Sequence, residues 1–194
     1  MKRIAITGSM GSGKSTVSQI LRKLGYPVSD ADTIAKELLM SDHTKEALIE
    51  RYGPVILNVD QSINKTLLAS RIFNHPEDKE HLEALIHPQV YAQLHAIKAE
   101  GLVFAEVPLL FESNGEQYFD EVWVVVTEES LLRERLKRNR SYSDQMIDER
   151  LMHQMSQAEK IKRANVVFVN DHNIETLEAE IKKVLKRYEP TSTG

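Results

Sequence analysis

The nine residues GSMGSGKST, positions 8 to 16, constrain this chain more than any other stretch. Three of its eight glycines fall within six positions there. Glycine costs backbone entropy wherever it is fixed, so such a cluster marks a place where something must come close to the main chain. Gly8-x-x-x-x-Gly13-Lys14-Ser15 is the pattern of a phosphate-binding P-loop. Its N–H groups wrap a phosphate chain, its lysine reaches the β- and γ-phosphates, and its hydroxyl ligates Mg²⁺. The flanks agree. KRIAIT (2–7) reads as a β-branched strand, and STVSQILRKL (15–24) sets Val17, Ile20, Leu21 and Leu24 at helical spacing, with Gly25 where a C-cap belongs. A helix starting there adds the partial positive charge of its N-terminus to the loop amides. The expected nucleotide-binding set is Gly8, Gly11, Ser12, Gly13, Lys14, Ser15 and Thr16, with Ser15 at the metal.

Four more stretches read as buried strands: YPVSD (26–30), LVFAEV (102–107), EVWVVVT (121–127) and NVVFVN (165–170). Two of these are nearly continuous apolar runs, as strands covered on both faces should be. Helical patterns lie at EESLLRERLKR (128–138) and NIETLEAEIKKVLKRY (173–188). The alternation predicts an α/β fold of the P-loop NTPase type, with a doubly wound, parallel, five-stranded sheet and ligands beyond the carboxyl ends of its strands. One kinase-like domain, 1–194, carries two interruptions. Residues 33–100 show helical patterns and no convincing strand, which predicts a helical insertion on the substrate side. Residues 139–163 are polar and rich in arginine, lysine and glutamine, which predicts a helical lid.

Composition narrows the partners. The chain has no cysteine, which leaves no disulfide and no thiolate chemistry and fits a cytoplasmic location. A net charge of −4 argues against a general nucleic-acid surface. No apolar run approaches the ~20 residues of a membrane span. MKRIAITG enters a strand at once, without the apolar stretch of a signal peptide. The histidines show no metal-ligand spacing. The expectation is a cytoplasmic monomer with neither nucleic acid nor membrane as partner.

A P-loop specifies a nucleotide and not a reaction. The nearest match to a guanine-reading Asn-Lys-x-Asp is NKTL (64–67), with leucine in place of the aspartate, and no Asp-x-x-Gly occurs. A small-molecule kinase remains. ITGSMGSGKSTV, GYPVSDADTIAKEL, LIHP and VPLLFE, in that order and spacing, resemble the dephospho-coenzyme A kinase family over essentially the whole chain. That resemblance implies ATP and dephospho-CoA as substrates, with Mg²⁺ accompanying ATP. The γ-phosphoryl would pass to the 3′-hydroxyl of the ribose, the last step of coenzyme A synthesis.

Asp30 and Asp32 close the second predicted strand. A sugar hydroxyl is a poor nucleophile, and a carboxylate within reach can orient it and take its proton. The resemblance gives Asp32 that role and puts Asp30 beside the substrate; the plainer alternative is that one of the two caps the helix starting near Thr33. Glu106 ends its strand where P-loop enzymes keep an acidic residue that holds Mg²⁺ through water. By resemblance Pro108, Leu109 and His87 lie on the dephospho-CoA side, while Glu112 is given no chemistry. Arg138 and Arg140, at the lid's entrance, would clamp ATP phosphates, and Arg138 joins Lys14 and Asp32 as catalytic. Asn170-Asp171 reverses the family's Asp-Asn order, so no adenine contact is assigned there. Two alternatives stay open: another P-loop small-molecule or nucleoside monophosphate kinase, and a nucleotide-binding regulator without catalysis. Asp-x-Asp favours a hydroxyl acceptor, since a phosphate acceptor is already ionised and needs no base.

Overall fold

The structure, a computed structural model, describes residues 1–189. Its sheet has five strands in the order β2-β3-β1-β4-β5. The first strand, β1 (Lys2–Gly8), is central, which is why Ile4, Ala5 and Ile6 are fully buried. It pairs in parallel with β3 (Leu102–Glu106), Ile6 opposite Glu106, and with β4 (Glu121–Val126), Gly8 opposite Val125. Outside β4 lies β5 (Val166–Val169), also parallel, and at the other edge β2 (Val28–Asp30) adjoins β3, with the Phe104 N–H donating to Pro27 O. The chain leaves β1 toward β2 on one side and leaves β3 toward β4 on the other. That divergence puts the ligand crevice of a doubly wound sheet at the carboxyl end of β1, where the P-loop begins.

One face of the sheet is covered by α1 (Lys14–Lys23) and α9 (Ile174–Leu185), whose Val17, Ile20, Leu21, Leu177 and Ile181 meet Ile4, Ile6, Phe104, Trp123 and Phe168. Phe104 and Phe168 flank Trp123 with ring centroids 5.0 and 5.2 Å away. Each fully buried side chain of this kind contributes about 1.5–3 kcal/mol, so this layer dominates what holds the sheet.

Two compact units are distinguished, the first made of Met1–Ser29 and the chain from Ala99, the second of Asp30–Lys98. The second unit contains α2 (Ala31–Leu39), α3 (Asp42–Tyr52), α4 (Lys65–Asn74) and α5 (Pro76–Ala96). Leu48, Ile56, Ile63 and Leu68 are its core, and Leu57 and Ile63 make one isolated β-bridge. Arg51 meets the nearly buried Asp78 at 2.9 Å. Burial pushes the Asp78 carboxyl up, but hydrogen bonds from Arg51 and Tyr52 outweigh it and hold it below its ordinary range.

In the first unit β4 is followed by α6 (Glu129–Arg140), α7 (Asp144–Met152) and α8 (Gln157–Arg163). The sixth helix runs to Arg140, so both expected clamp arginines lie on its last turn and not beyond it. Among the described residues no helix is long and apolar enough to cross a membrane.

Candidate active site

The P-loop is shaped by contacts within the protein. Gly13 is the N-cap of α1 with φ of 97°, and a Cβ on it would lie 2.0 Å from Asn170 Nδ2. A Cβ on Gly8 would lie 2.2 Å from the Val125 carbonyl oxygen of β4, its partner in register. No other residue type fits at either position. The Ser12 carbonyl oxygen accepts from Asn170 Nδ2 and from Thr127 Oγ1, both at 2.9 Å. Arg135 of α6 secures those two residues in turn, donating to Thr127 Oγ1 at 3.1 Å and to the Asn170 carbonyl oxygen at 2.9 Å. Ser12, Thr127 and Asn170 are all buried, so these bonds are made in a water-poor interior where leaving one unmade is costly. Asp171 Oδ1 accepts from the Glu128 N–H at 2.8 Å, fixing the start of α6. The Asn170-Asp171 pair thus holds backbone, with Asn170 on the loop and Asp171 on the helix.

Lys14 is buried, and its Nζ donates to the carbonyl oxygens of Gly8 and Ser9 at 3.0 Å each. Ser15 is exposed and Thr16 half-buried at the start of α1, while Gly11 lies against Leu136 of α6. Glu106 ends β3 with Oε2 accepting from the buried Ser18 Oγ at 2.8 Å, which orients its carboxylate from α1. Among the described residues no group of three or more His, Cys, Asp or Glu could hold a metal alone. One hydroxyl and one oriented carboxylate fit a cation that arrives with phosphate oxygens as its other ligands.

Past β3, Thr7 Oγ1 donates to Pro108 O at 3.3 Å, Leu109 is exposed, and Leu110 and Phe111 are buried. Glu112 was given no role by sequence, yet its Oε1 accepts from the Met155 N–H at 2.8 Å and lies 3.0 Å from the fully buried Lys160 Nζ. The turn between α7 and α8 has two further anchors. Gln154 Oε1 accepts from the Met10 N–H of the P-loop at 3.0 Å. The Gln157 side chain pairs with both backbone groups of Thr127, at 3.0 and 2.9 Å. A cleft of about 540 Å³ borders the loop, with Ser9, Leu151, Gln154, Met155 and Gln157 in its wall.

Asp30, Asp32 and His87 belong to the second unit. Asp30 is the N-cap of α2, accepting from the Thr33 N–H at 3.0 Å, so the capping role falls to it; Asp32 sits in that helix's first turn. His87 lies mid-helix and half-buried, because α5 continues through Pro88. Gln89 Nε2 donates to Leu85 O at 2.7 Å, beside the carbonyl that the missing Pro88 N–H leaves without its helical donor. Arg138 and Arg140 are exposed on α6; the nearest anionic partner of Arg138 is Glu134, at 3.9 Å. Thr127, Arg135 and Gln154 escaped the sequence reading. Only the ending of the β4 run at Thr127 could have signalled the first of them.

The sequence model of dephospho-CoA kinases matches residues 2–176. A dephospho-CoA kinase of Coxiella burnetii is 37% identical over 194 residues, spanning 97% of this chain and 97% of that protein. The crystal structure of TT1252 from Thermus thermophilus superposes with a TM-score of 0.82 at 34% identity, covering 97% of this chain and 98% of its own. Dephospho-CoA kinase from Campylobacter jejuni gives 0.70 at 28% identity, over 95% and 96% of the two chains. The match runs from β1 into α9 and takes in the P-loop, the helical unit and the α6–α8 segment, so this chain belongs to the dephospho-CoA kinase family.

Proposed function

We propose that this protein transfers the γ-phosphoryl of ATP to the 3′-hydroxyl of the dephospho-CoA ribose, giving coenzyme A and ADP. The observation that carries this reading is the family match over residues 2–176, which encloses a complete P-loop. The acceptor oxygen forms its bond to the γ-phosphorus as the bond to the β–γ bridging oxygen breaks. Its proton passes to Asp32, in the first turn of α2. Lys14 exchanges two loop carbonyls for phosphate oxygens, which costs little reorganisation because the ammonium is already in place. A Mg²⁺ arriving with ATP would be held by the Ser15 hydroxyl and, through water, by Glu106, and would supply charge neutralisation for the phosphate chain. Gly8, Gly11, Ser12, Gly13 and Thr16 complete the phosphate site, with Arg138 and Arg140 closing over it from the lid. Asp30, His87, Pro108 and Leu109 are the residues assigned to contact the acceptor. Support for a hydroxyl acceptor over a nucleoside monophosphate comes from the Asp-x-Asp sequence, which a phosphate acceptor does not need.

A coupled ADP-release assay tests this. Purified protein is given Mg·ATP and, separately, dephospho-CoA, AMP, CMP, shikimate or pantothenate. Turnover is expected with dephospho-CoA alone, and Lys14→Ala should abolish it while leaving the fold intact. ATP binding without turnover of any acceptor would favour the regulator.

A further inference from the structure

The turn between α7 and α8 reaches the P-loop through the side chain of Gln154. Gln154 Oε1 accepts from the Met10 N–H at 3.0 Å, and this settles which way the carboxamide faces: an N–H donor demands the oxygen, so the NH₂ group points away from Met10. That NH₂ donates to no protein acceptor among the described residues, and Gln154 is in the wall of the cleft that borders the loop. Ser9 shares that wall, and its carbonyl oxygen holds Lys14 Nζ at 3.0 Å. The lysine of a P-loop is the group that reaches the β/γ end of the phosphate chain. The cleft therefore borders the part of the loop whose carbonyl oxygen holds that lysine.

Gln154 is also held more firmly than a surface glutamine. Its backbone N–H donates to Leu151 O at 3.0 Å, closing α7. The next residue, Met155, is fixed by Glu112, whose carboxylate meets the buried Lys160. Two residues on, Gln157 is fixed to Thr127, which itself donates to the P-loop at Ser12. So the turn carrying Gln154 is tied to the end of β4, to the turn after β3 and to the loop itself. Such bracing positions a donor rather than leaving it to find a partner.

We infer that Gln154 is a phosphoryl-contacting residue, its Nε2 donating to an oxygen of the terminal phosphoryl group of a nucleotide held on the P-loop. This rests on the ATP site proposed above and not on the identity of the acceptor. Such a contact is neutral, so it orients the phosphoryl without adding to the charge that Lys14 and the arginines supply.

The test is calorimetric titration of ADP and of the β,γ-imido analogue of ATP, each with Mg²⁺, into the full chain and two variants. Gln154→Ala removes both ends of the carboxamide. Gln154→Glu keeps an acceptor for the Met10 N–H and loses the donors. Both variants should weaken the analogue by about tenfold or more, the usual loss for a hydrogen bond to a charged group, with ADP affinity nearly unchanged. Equal weakening of ADP and analogue, or no weakening of either, would overturn the assignment. So would a Glu variant that matches the unaltered protein while the Ala variant fails, because Gln154 would then serve only as Met10's acceptor. An unaltered protein that binds both nucleotides but phosphorylates no dephospho-CoA would count against the proposed acceptor and leave Gln154 to be judged by the same ratio.

Discussion

Asn170 Nδ2 lies 2.9 Å from the Ser12 carbonyl oxygen, joining the end of β5 to the middle of the P-loop. The same Nδ2 occupies the space that a Cβ on Gly13 would need, so the glycine and the asparagine specify one another. Asn170→Ala leaves Ser12 O with Thr127 as its remaining donor and gives the loop room to move. ATP affinity should fall about five- to tenfold, the worth of one neutral hydrogen bond with some added loop entropy. Calorimetric titration checks it, and unchanged affinity would mean that the loop holds its own shape.

Glu112 and Lys160 make a different kind of bond. Lys160 is fully buried and Glu112 retains 18% of its side-chain exposure. Removing the carboxylate strands an ammonium in the interior, so Glu112→Ala should cost about 3–5 kcal/mol in denaturant unfolding. Lys160→Met leaves a carboxylate that still accepts from the Met155 N–H, and should cost less. The double variant should recover most of the loss suffered by Glu112→Ala. A double variant no better than Glu112→Ala would show that the pair is not coupled.

Tyr188 gives a test in pH. Its hydroxyl donates to Glu121 Oε2, and burial, with Glu121 as the second cause, pushes its pKa from 10.0 to about 12. The neutral phenol is the form favoured by folding. Its contribution is therefore complete below pH 10 and disappears as pH rises from 10 toward 12. Tyr188→Phe should lower stability at neutral pH and flatten the loss of stability above pH 10. Parallel stability curves for the two proteins over that interval would refute the coupling.

The strands could be read because parallel strands covered on both faces need unbroken apolar runs, and Val103–Ala105 and Val122–Val126 are such runs. The P-loop could be read because its glycines have no substitute. Bracing by Thr127 and Asn170 could not, since it depends on which strands become neighbours, and Ser12 meets Asn170 across 158 residues of chain. Gln154 was hidden for the same reason, inside a polar stretch with no period of its own. Asp30 and Asp32 were each compatible with a cap or a base, and only the geometry of the Thr33 N–H assigned the cap. His87 precedes a proline, yet the helix accommodates Pro88 and runs on, a continuity that the residue pair alone does not announce.

Asp32→Asn tests the proposed base. The amide keeps shape and hydrogen-bonding reach but cannot accept the hydroxyl proton, so turnover should fall by about 10²–10⁴-fold. ATP affinity should hardly change, because the base serves the acceptor. Asp30→Asn should change the rate far less and leave α2 in place, since an asparagine caps nearly as well as an aspartate. Single-turnover rates and ATP titrations on both variants separate these effects. A large rate loss for Asp30→Asn with little for Asp32→Asn would reverse the roles.

The lid arginines can be separated from a merely basic surface by comparing neighbours. Lys137 is engaged, its Nζ 2.8 Å from Asp144, and this pair helps tie α6 to α7. Arg138, the next residue, has a side chain 71% exposed, and Glu134 lies only at the 3.9 Å margin of contact. Its guanidinium is free to leave that contact for a stronger one, and a phosphate offers two oxygens matched to its fork. Lysine in its place keeps the charge and loses the paired donors. Arg138→Lys should therefore lower kcat by about tenfold, the value of one charge-assisted hydrogen bond. Lys137→Gln removes a full charge one residue away and cuts an exposed ion pair of the sort that contributes little to stability. It should leave kcat where it was. If the field of the basic helix were what mattered, the glutamine variant would be the worse of the two and the lysine variant nearly silent. Steady-state kinetics at one ionic strength decides between a clamp and a field.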